Sequence, residues 1–489
     1  MKTNIRDMAA KAKPVTKGPV SPVRTLRWGM CTALSGLLAL APALHAQDAP
    51  HHRQARELFE RLISFRSAAG HKQVPPMVQY MTDTLRAGGV PEANILSLPH
   101  EETMALLVRV PGTDAAAHPI LFSAHMDVVD ARPEDWARSP FTLVEEKGMF
   151  YGRGTSDNKA GVASMLSTIL RLQADRRPLQ RTLVFAFVGD EEEGMQTTRL
   201  VAAHAWVKNA EFAINTDAGG GTLAEDGRPQ YYLIQGAEKT YADFKLMATN
   251  QGGHSSWPRR DNAIYDLARA LTRIEAHRFP VMANELTRSY LAVIGKAVGG
   301  APGEMLQRFA ANPADQAAAD ALWDMPAYVG RTRTTCIATM VDAGHAPNAL
   351  PQRATANVNC RIFPGHSLED VRKGLVDAIA DPQIAVEVPA NVNVSPVSEP
   401  RADVTAAITT SIHRLYPGVP ITPYLETGGT DGLVYRSAGI PTYATSGIFM
   451  KNSDVFAHGL NERIPVASFY QGVDHIHDLA VTLGGPAGR

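Results

Sequence analysis

The chain is expected to fold as an α/β protein: a sheet of largely parallel strands with helices on both faces, interrupted by a smaller α+β domain. Three observations predict this. Residues 120–122 and 181–188 are near-continuous apolar runs, as in strands buried on both faces. Helical segments separate these runs, which argues for a doubly wound sheet. From about Glu238 the pattern alternates and follows the order strand-helix-strand-strand-helix-strand, which is ferredoxin-like. At 489 residues the chain exceeds one ordinary core, so two folded domains are expected.

Composition narrows the class. Hydrophobic residues make up 45% and charged residues 20% of the chain, as in soluble globular proteins. The net charge is −1 and the body has no long basic run, so no nucleic-acid partner is expected. The three cysteines lack metal-binding spacing. Cys31 falls in the N-terminal segment, and whether Cys336 and Cys360 pair is left open by the sequence. Residues 2–27 are basic, 28–41 are apolar, and Ala43-Leu44-His45-Ala46 has the small residues of a cleavage site. Residues 1–46 are therefore expected to be a secretory signal peptide, with the mature protein periplasmic or secreted. The apolar run is short of the ~20 residues a span needs, so no stable membrane anchor is expected after cleavage.

Taken in order, helices are expected at 51–63 and 74–88, and strands at 94–98, 104–110 and 119–123. Residues 131–154 read as loop, and a small-residue helix follows at 160–173. Strands at 181–188 and 212–215 complete the first part. The smaller domain is expected to have strands at 240–249, 334–342, 354–362 and 384–394, with helices at 262–277 and 367–380. Residues 278–330 are Ala-rich without strand character, and read as a helical insert within the small domain. The last part returns to α/β with a helix at 402–416, a strand near 441–444 and a terminal helix at 466–483. The domain limits are thus 47–237 and 398–489 for the larger domain, with 238–397 inserted into it. The chain would cross between domains at Gly236-Ala237 and again at 394–400.

The chemistry gathers where strands end. Ser123-Ala124-His125-Met126-Asp127 closes one strand, Gly189-Asp190-Glu191-Glu192-Glu193-Gly194 the next, and Thr216-Asp217 a third. The carboxyl edge of such a sheet is where ligands bind. Asp157, in Gly152-Arg153-Gly154-Thr155-Ser156-Asp157-Asn158-Lys159, and His458 in a Gly- and Asn-flanked loop complete the set. Each segment alone has a plain reading as a solvated turn; their repetition at successive strand ends is the stronger signal. Two imidazoles and several carboxylates suit zinc, with manganese or cobalt as substitutes. Five ligands can hold two metals, and a further carboxylate is then needed to take a proton from water. The neighbouring Glu191 and Glu192 can divide those tasks.

Five segments in this order resemble the zinc-dependent exopeptidase and amidohydrolase family of glutamate carboxypeptidase, aminoacylase, succinyl-diaminopimelate desuccinylase and vacuolar carboxypeptidase S. They are the His125 and Asp157 segments, Asp190-Glu191-Glu192-Glu193-Gly194, Gly252-Gly253-His254-Ser255-Ser256-Trp257-Pro258, and Ala457-His458-Gly459-Leu460-Asn461-Glu462. The resemblance implies a mixed sheet sandwiched by helices, with an inserted lid that also forms a dimer in relatives. It implies His125, Asp157, Glu192, Asp217 and His458 as ligands of two Zn²⁺, with Asp157 bridging and the Asp157–Asn158 peptide cis. It implies Glu191 as general base, with Glu192 and Glu193 as the shifted alternative, and Asp127 as the residue orienting His125. His254 would reach the substrate oxyanion, across a dimer interface in many members. Asn348, Arg361, Gly429 and Thr430 would contact substrate, Arg361 as a fork on a carboxylate. The implied activity is hydrolysis of an amide or peptide bond next to a free carboxylate, on a small peptide or an N-acyl amino acid. The competing readings are an aminopeptidase acting on free N-termini and a catalytically silent binding relative. A homodimer is implied, unless the 278–330 insert covers the pairing surface and leaves a monomer.

Overall fold

The computed structural model describes residues 49–485 apart from 391 and 393; the expected signal segment lies outside the described residues. A ten-stranded mixed sheet dominates. Its centre is Ile120–His125, flanked in parallel by Leu183–Val188 and Phe212–Asn215. His125 lies opposite Val188, and Ser123 opposite Asn215. The three strands therefore end almost level, and the loops that follow leave from one edge. Every residue of these strands is buried, which is why their sequences lack alternation.

Helices cover both faces. On one side Phe59, Leu166, Ile169, Phe469 and Ile476 pack on Phe122 and Phe185. On the other, Val201, Val434 and Tyr435 pack on Leu121, Val184 and Ala213. The Lys159–Asp175 helix is buried along nearly its whole length. Its small residues allow this close approach: a Cβ on Gly161 would collide with Thr216 and Asn158.

The smaller sheet has the order Thr335–Ala343, Arg353–Ile362, Thr240–Thr249, Ile384–Glu387, all antiparallel. Helices Ala263–Ala276 and Leu368–Ile379 cover one face through Phe244, Leu246, Leu267, Val358 and Leu375. This is the ferredoxin-like arrangement. Cys336 and Cys360 are cross-strand partners here and form a disulfide. The last strand is shorter than expected and ends at Glu387, because Pro389 has no N–H for the ladder.

Two expectations need correction. The insert is helical, as Glu285–Val298, Gly300–Ala311, Gln316–Trp323 and Pro326–Val329, but its core is not shared with the small sheet. Tyr290, Leu291, Ile294, Leu306 and Phe309 pack with Tyr231 and Tyr424, which lie on the Pro229–Glu238 and Ile421–Glu426 strands of the large sheet. Two aromatic side chains on those strands offer an apolar surface that the large domain would otherwise leave bare. The chain therefore passes between the domains four times, not twice. Nor is Gly236-Ala237 a loose crossing. It lies within Pro229–Glu238, where Ala237 and Glu238 pair with Leu425 and Glu426 and Ser398 donates to the Gly236 carbonyl at 2.8 Å. The strands Gly220–Leu223, Pro229–Glu238 and Ile421–Glu426 went unanticipated.

Candidate metal centre and active site

His125 closes its strand fully buried. Its Nδ1–H donates to the Asp127 carbonyl at 3.1 Å, and the Asp127 carboxylate lies 3.5 Å from the same nitrogen. A carbonyl only accepts, so Nδ1 carries a proton, and Nε2 is the ring nitrogen that faces the cluster. Asp127 is held in turn by the Glu192 amide, which donates to its Oδ2 at 3.0 Å. The Asp127 backbone and side chain thus connect two of the three loops.

In front of His125 Nε2 stand Asp157 at 2.7 Å and Asp217 at 3.2 Å. His458 Nε2 lies 3.1 Å from both Asp157 Oδ2 and Glu192 Oε1. The arrangement has two halves, His125 with Asp217 and His458 with Glu192, and Asp157 faces both. Glu191 joins His125 and Asp217, their ligand atoms all within 4.8 Å of one another. Glu193 is exposed and outside these groups. The Asp157–Asn158 peptide is cis.

The charges are strongly coupled. Burial opposes a charged His125, but Asp217, Asp127 and Asp157 hold its pKa well above the ordinary value. Burial also works against the Asp157 carboxylate, yet His125 and His458 hold it well below the usual range. Asp217 is pushed up to about 7 by burial, with Asp157 and Glu192 adding to the effect. Glu191 is raised well above its ordinary value by burial and by Asp217. Desolvated carboxylates crowded onto two imidazoles form a donor set that divalent cations neutralise, so the residues fit a two-metal site.

One residue of the last motif had been given no role. Glu462 is fully buried and accepts five hydrogen bonds: from Arg153 Nη1, the amides of Gly154, Ser156 and Asp157, and the Ser156 hydroxyl, at 2.7–3.1 Å. Arg153 also donates to the His458 carbonyl at 3.3 Å. Glu462 therefore shapes the loop that aims Asp157 and ties it to the loop bearing His458. A buried acid inside a polar loop has no periodic signature; the signal was its position four residues after His458. Asp431 is likewise buried, is bonded by the Thr198 hydroxyl, and is pushed up to about 8 by burial.

The lid residues are placed differently. His254 and Ala349 pair in a two-residue ribbon, and Ser255 N–H donates to the Asn348 carbonyl at 3.0 Å. The ribbon thus brings His254 and Asn348 together. The Ser256 amide donates to His254 Nδ1 at 3.2 Å, so Nε2 carries the proton and can donate it. Arg361 stacks over Tyr241 with 4.7 Å to the ring centroid, and no carboxylate among the described residues lies within ion-pair distance of it. No hydrogen bond or ion pair among the described residues joins these three to the cluster. Of the 428–431 loop, Gly429 is exposed, but Thr430 is buried and its hydroxyl donates to Glu238 at 2.8 Å. That corrects Thr430 as a substrate-contacting side chain. There it joins Gln235 in donating to the buried Glu238–Arg436 pair, 3.0 Å apart.

A family model described as Peptidase family M20/M25/M40 matches residues 121–482. The chain belongs to this family. It is a metal-dependent hydrolase of amide or peptide bonds. The human N-fatty-acyl-amino acid synthase/hydrolase PM20D1 is 29% identical over 401 residues, 77% of this chain and 76% of that one. An M20 family metallo-carboxypeptidase from Sulfolobus solfataricus superposes with a TM-score of 0.64 at 20% identity, covering 87% of this chain and 98% of its own. A Bacillus subtilis peptidase of the family, described as dinuclear metal binding, gives 0.59 at 14% identity, covering 89% and 98%. Among the described residues no helix is long and apolar enough to cross a membrane.

Proposed function

We propose that the protein is an exported hydrolase of N-acyl amino acids or small peptides, cutting the amide bond next to a free carboxylate with two zinc ions. The observation that carries this is the double cluster: His125 with Asp217, His458 with Glu192, Asp157 between them, and Glu191 alongside. Those five residues would hold the metals. Bound there, two divalent cations supply Lewis-acid polarisation of the substrate carbonyl and acidify water. Glu191 takes the water's proton and returns it to the leaving nitrogen; the high proton affinity of its buried carboxyl suits that task. His254 donates its Nε2–H to the oxyanion. Arg361, without a carboxylate partner, receives the substrate's carboxylate, and its cation disfavours the free amine of an aminopeptidase substrate. Asp127 keeps the His125 tautomer.

Export is supported by the N-terminal pattern and by the Cys336–Cys360 disulfide, which an oxidising compartment preserves. A homodimer is the assembly we favour. The Thr335–Ala343 edge strand exposes Ile337, Met340 and Val341, and the insert packs elsewhere, leaving this edge open for a second copy. Light scattering tests it; a monomer at micromolar concentration overturns it.

The activity test is a screen of N-acyl amino acids, dipeptides and free-amine peptides with zinc-, manganese- or cobalt-loaded protein. Turnover of N-blocked substrates with a free carboxylate is expected. Turnover of free-amine peptides alone would reverse the polarity, and absence of bound metal would favour a silent relative.

A further inference from the structure

A second set of metal-type donors lies outside the catalytic cluster. His51 and His52 stand in the first turn of the Pro50–Ile63 helix, and Asp474 stands in the Val466–Gly484 helix. His51 Nε2 lies 3.0 Å from Asp474 Oδ1, and His52 Nε2 lies 2.9 Å from Oδ2. One ligand atom from each of the three falls within 4.8 Å of the others. Neighbours in a helix point about 100° apart and do not face one another. Helix geometry alone therefore does not bring these two imidazoles to one carboxylate. Their rings meet edge to face with centroids 4.2 Å apart, and Tyr470 backs the His52 ring at 4.8 Å. His52 is buried, while the His51 and Asp474 side chains are 28% and 36% exposed, so an ion can enter from solvent.

Tetrahedral zinc with bonds of ~2.0–2.1 Å holds its donors ~3.4 Å apart. The trio, at 2.9–3.0 Å, must open by about 0.5 Å to admit the ion. The catalytic cluster has the same close spacing, 2.7–3.2 Å. His477 follows Asp474 by three residues and shares its helix face. Its buried Nδ1 has no hydrogen-bond partner among the described residues, and the ring is close enough to feel the charges of Asp474 and His51. The fourth position falls to this imidazole or to water. Two features oppose a cation. Arg171 Nη1 donates to Asp474 Oδ1 at 3.3 Å, and the start of a helix is its positive end. Both keep the affinity below that of the cluster. We propose that His51, His52 and Asp474 bind a third zinc ion, which clips the start of the Pro50–Ile63 helix onto the terminal helix. Both helices cover the same face of the large sheet, through Phe59, Phe469 and Ile476. The site shares no residue with the catalytic cluster and does not depend on the hydrolase reading.

The test dialyses the metal-free full chain against micromolar zinc and counts bound ions by elemental analysis. The parent is expected to hold one ion more than His51→Gln and one more than Asp474→Asn. Both substitutions keep side-chain size at partly exposed positions, so both variants are expected to fold as the parent does, and calorimetry checks this. Each should weaken the extra ion by more than the ~10–100-fold that follows loss of a group behind a ligand, with turnover as in the parent. Zinc should slow amide hydrogen exchange across residues 50–63 in the parent and not in the two variants. Arg171→Gln, which frees Asp474 Oδ1, should tighten the extra ion. Equal zinc counts in the parent and both variants overturn the site, as does an extra ion that Arg171→Gln loosens. An extra ion that leaves exchange across residues 50–63 unchanged overturns the clip. If the parent holds a single zinc that both variants lose, the catalytic cluster is the one without metal: the two-zinc hydrolase reading fails and this site stands.

Discussion

The cluster at the sheet edge and the three lid residues proposed to act with it are built in opposite ways. The cluster is braced by groups outside it before any substrate arrives. His125 is fixed by Asp127, Asp127 by the Glu192 amide, and the Asp157 loop by Glu462. In the lid, His254 and Asn348 are exposed and ride on a two-residue ribbon, and Arg361 rests on one aromatic ring. The difference follows from what each half must do. A cation site must converge to within fractions of an ångström, and strand register provides that. An oxyanion donor and a carboxylate fork must admit the substrate first and engage it afterwards. Substitutions in the first half should therefore damage metal binding or stability along with rate. Those in the second should damage rate alone.

The largest effect tests the one cluster residue that departs from this rule. Glu191→Ala is expected to keep the metals and lose turnover by more than the ~10²–10⁴-fold of general-base assistance, read by kcat and by elemental analysis. Loss of a metal in that variant would make Glu191 a ligand, as its closeness to His125 and Asp217 allows. Next is Glu462→Ala. It leaves Arg153, 3% exposed, without its buried partner, a change worth about 3–5 kcal/mol. Calorimetry should show a lower Tm, and metal titration a weaker site, although Glu462 binds no metal itself. An unchanged metal affinity would mean that the Asp157 loop holds its shape unaided.

His254→Ala should lower kcat by about 10²–10³-fold with Tm and metal content unchanged. Mixing it with Glu191→Ala asks which subunit supplies the imidazole. Recovered activity places His254 across the interface; subunit exchange without recovery places it in its own subunit. The smallest effect probes the scaffold behind the cluster. His475 lies buried between Thr445 and Ser411, and burial lowers its pKa to about 3. The unfolded chain binds a proton below about pH 6.5 and the folded chain does not. The stability that His475 contributes is therefore full above pH 6.5 and declines as pH falls toward 3, by about 2 kcal/mol at pH 5. Thermal unfolding across this range should show the slope, and His475→Gln should reduce it, leaving the part that the buried His477 supplies.

The sequence by itself determined the features that depend on local pattern and order. Unbroken apolar runs identified the strands of the parallel core, because burial on both faces removes alternation. The acids and His that follow successive strands put His125, Glu191, Glu192 and Asp217 at one sheet edge. What tertiary structure alone decided is how side chains from distant segments divide the work. The halving of the cluster across Asp157 depends on loops in which Asp157 and His458 stand 301 positions apart in the chain. The cage around Glu462 depends largely on backbone amides, which every residue but proline carries and no pattern marks. Thr430 looked free in a glycine-rich loop but is turned inward, because a buried Glu238 requires a donor. The Ala-rich insert has an amphipathic pattern that demands an apolar partner without naming one. The partner proved to be Tyr231 and Tyr424 on the large sheet, since periodicity records that a face must be buried and only packing records against what.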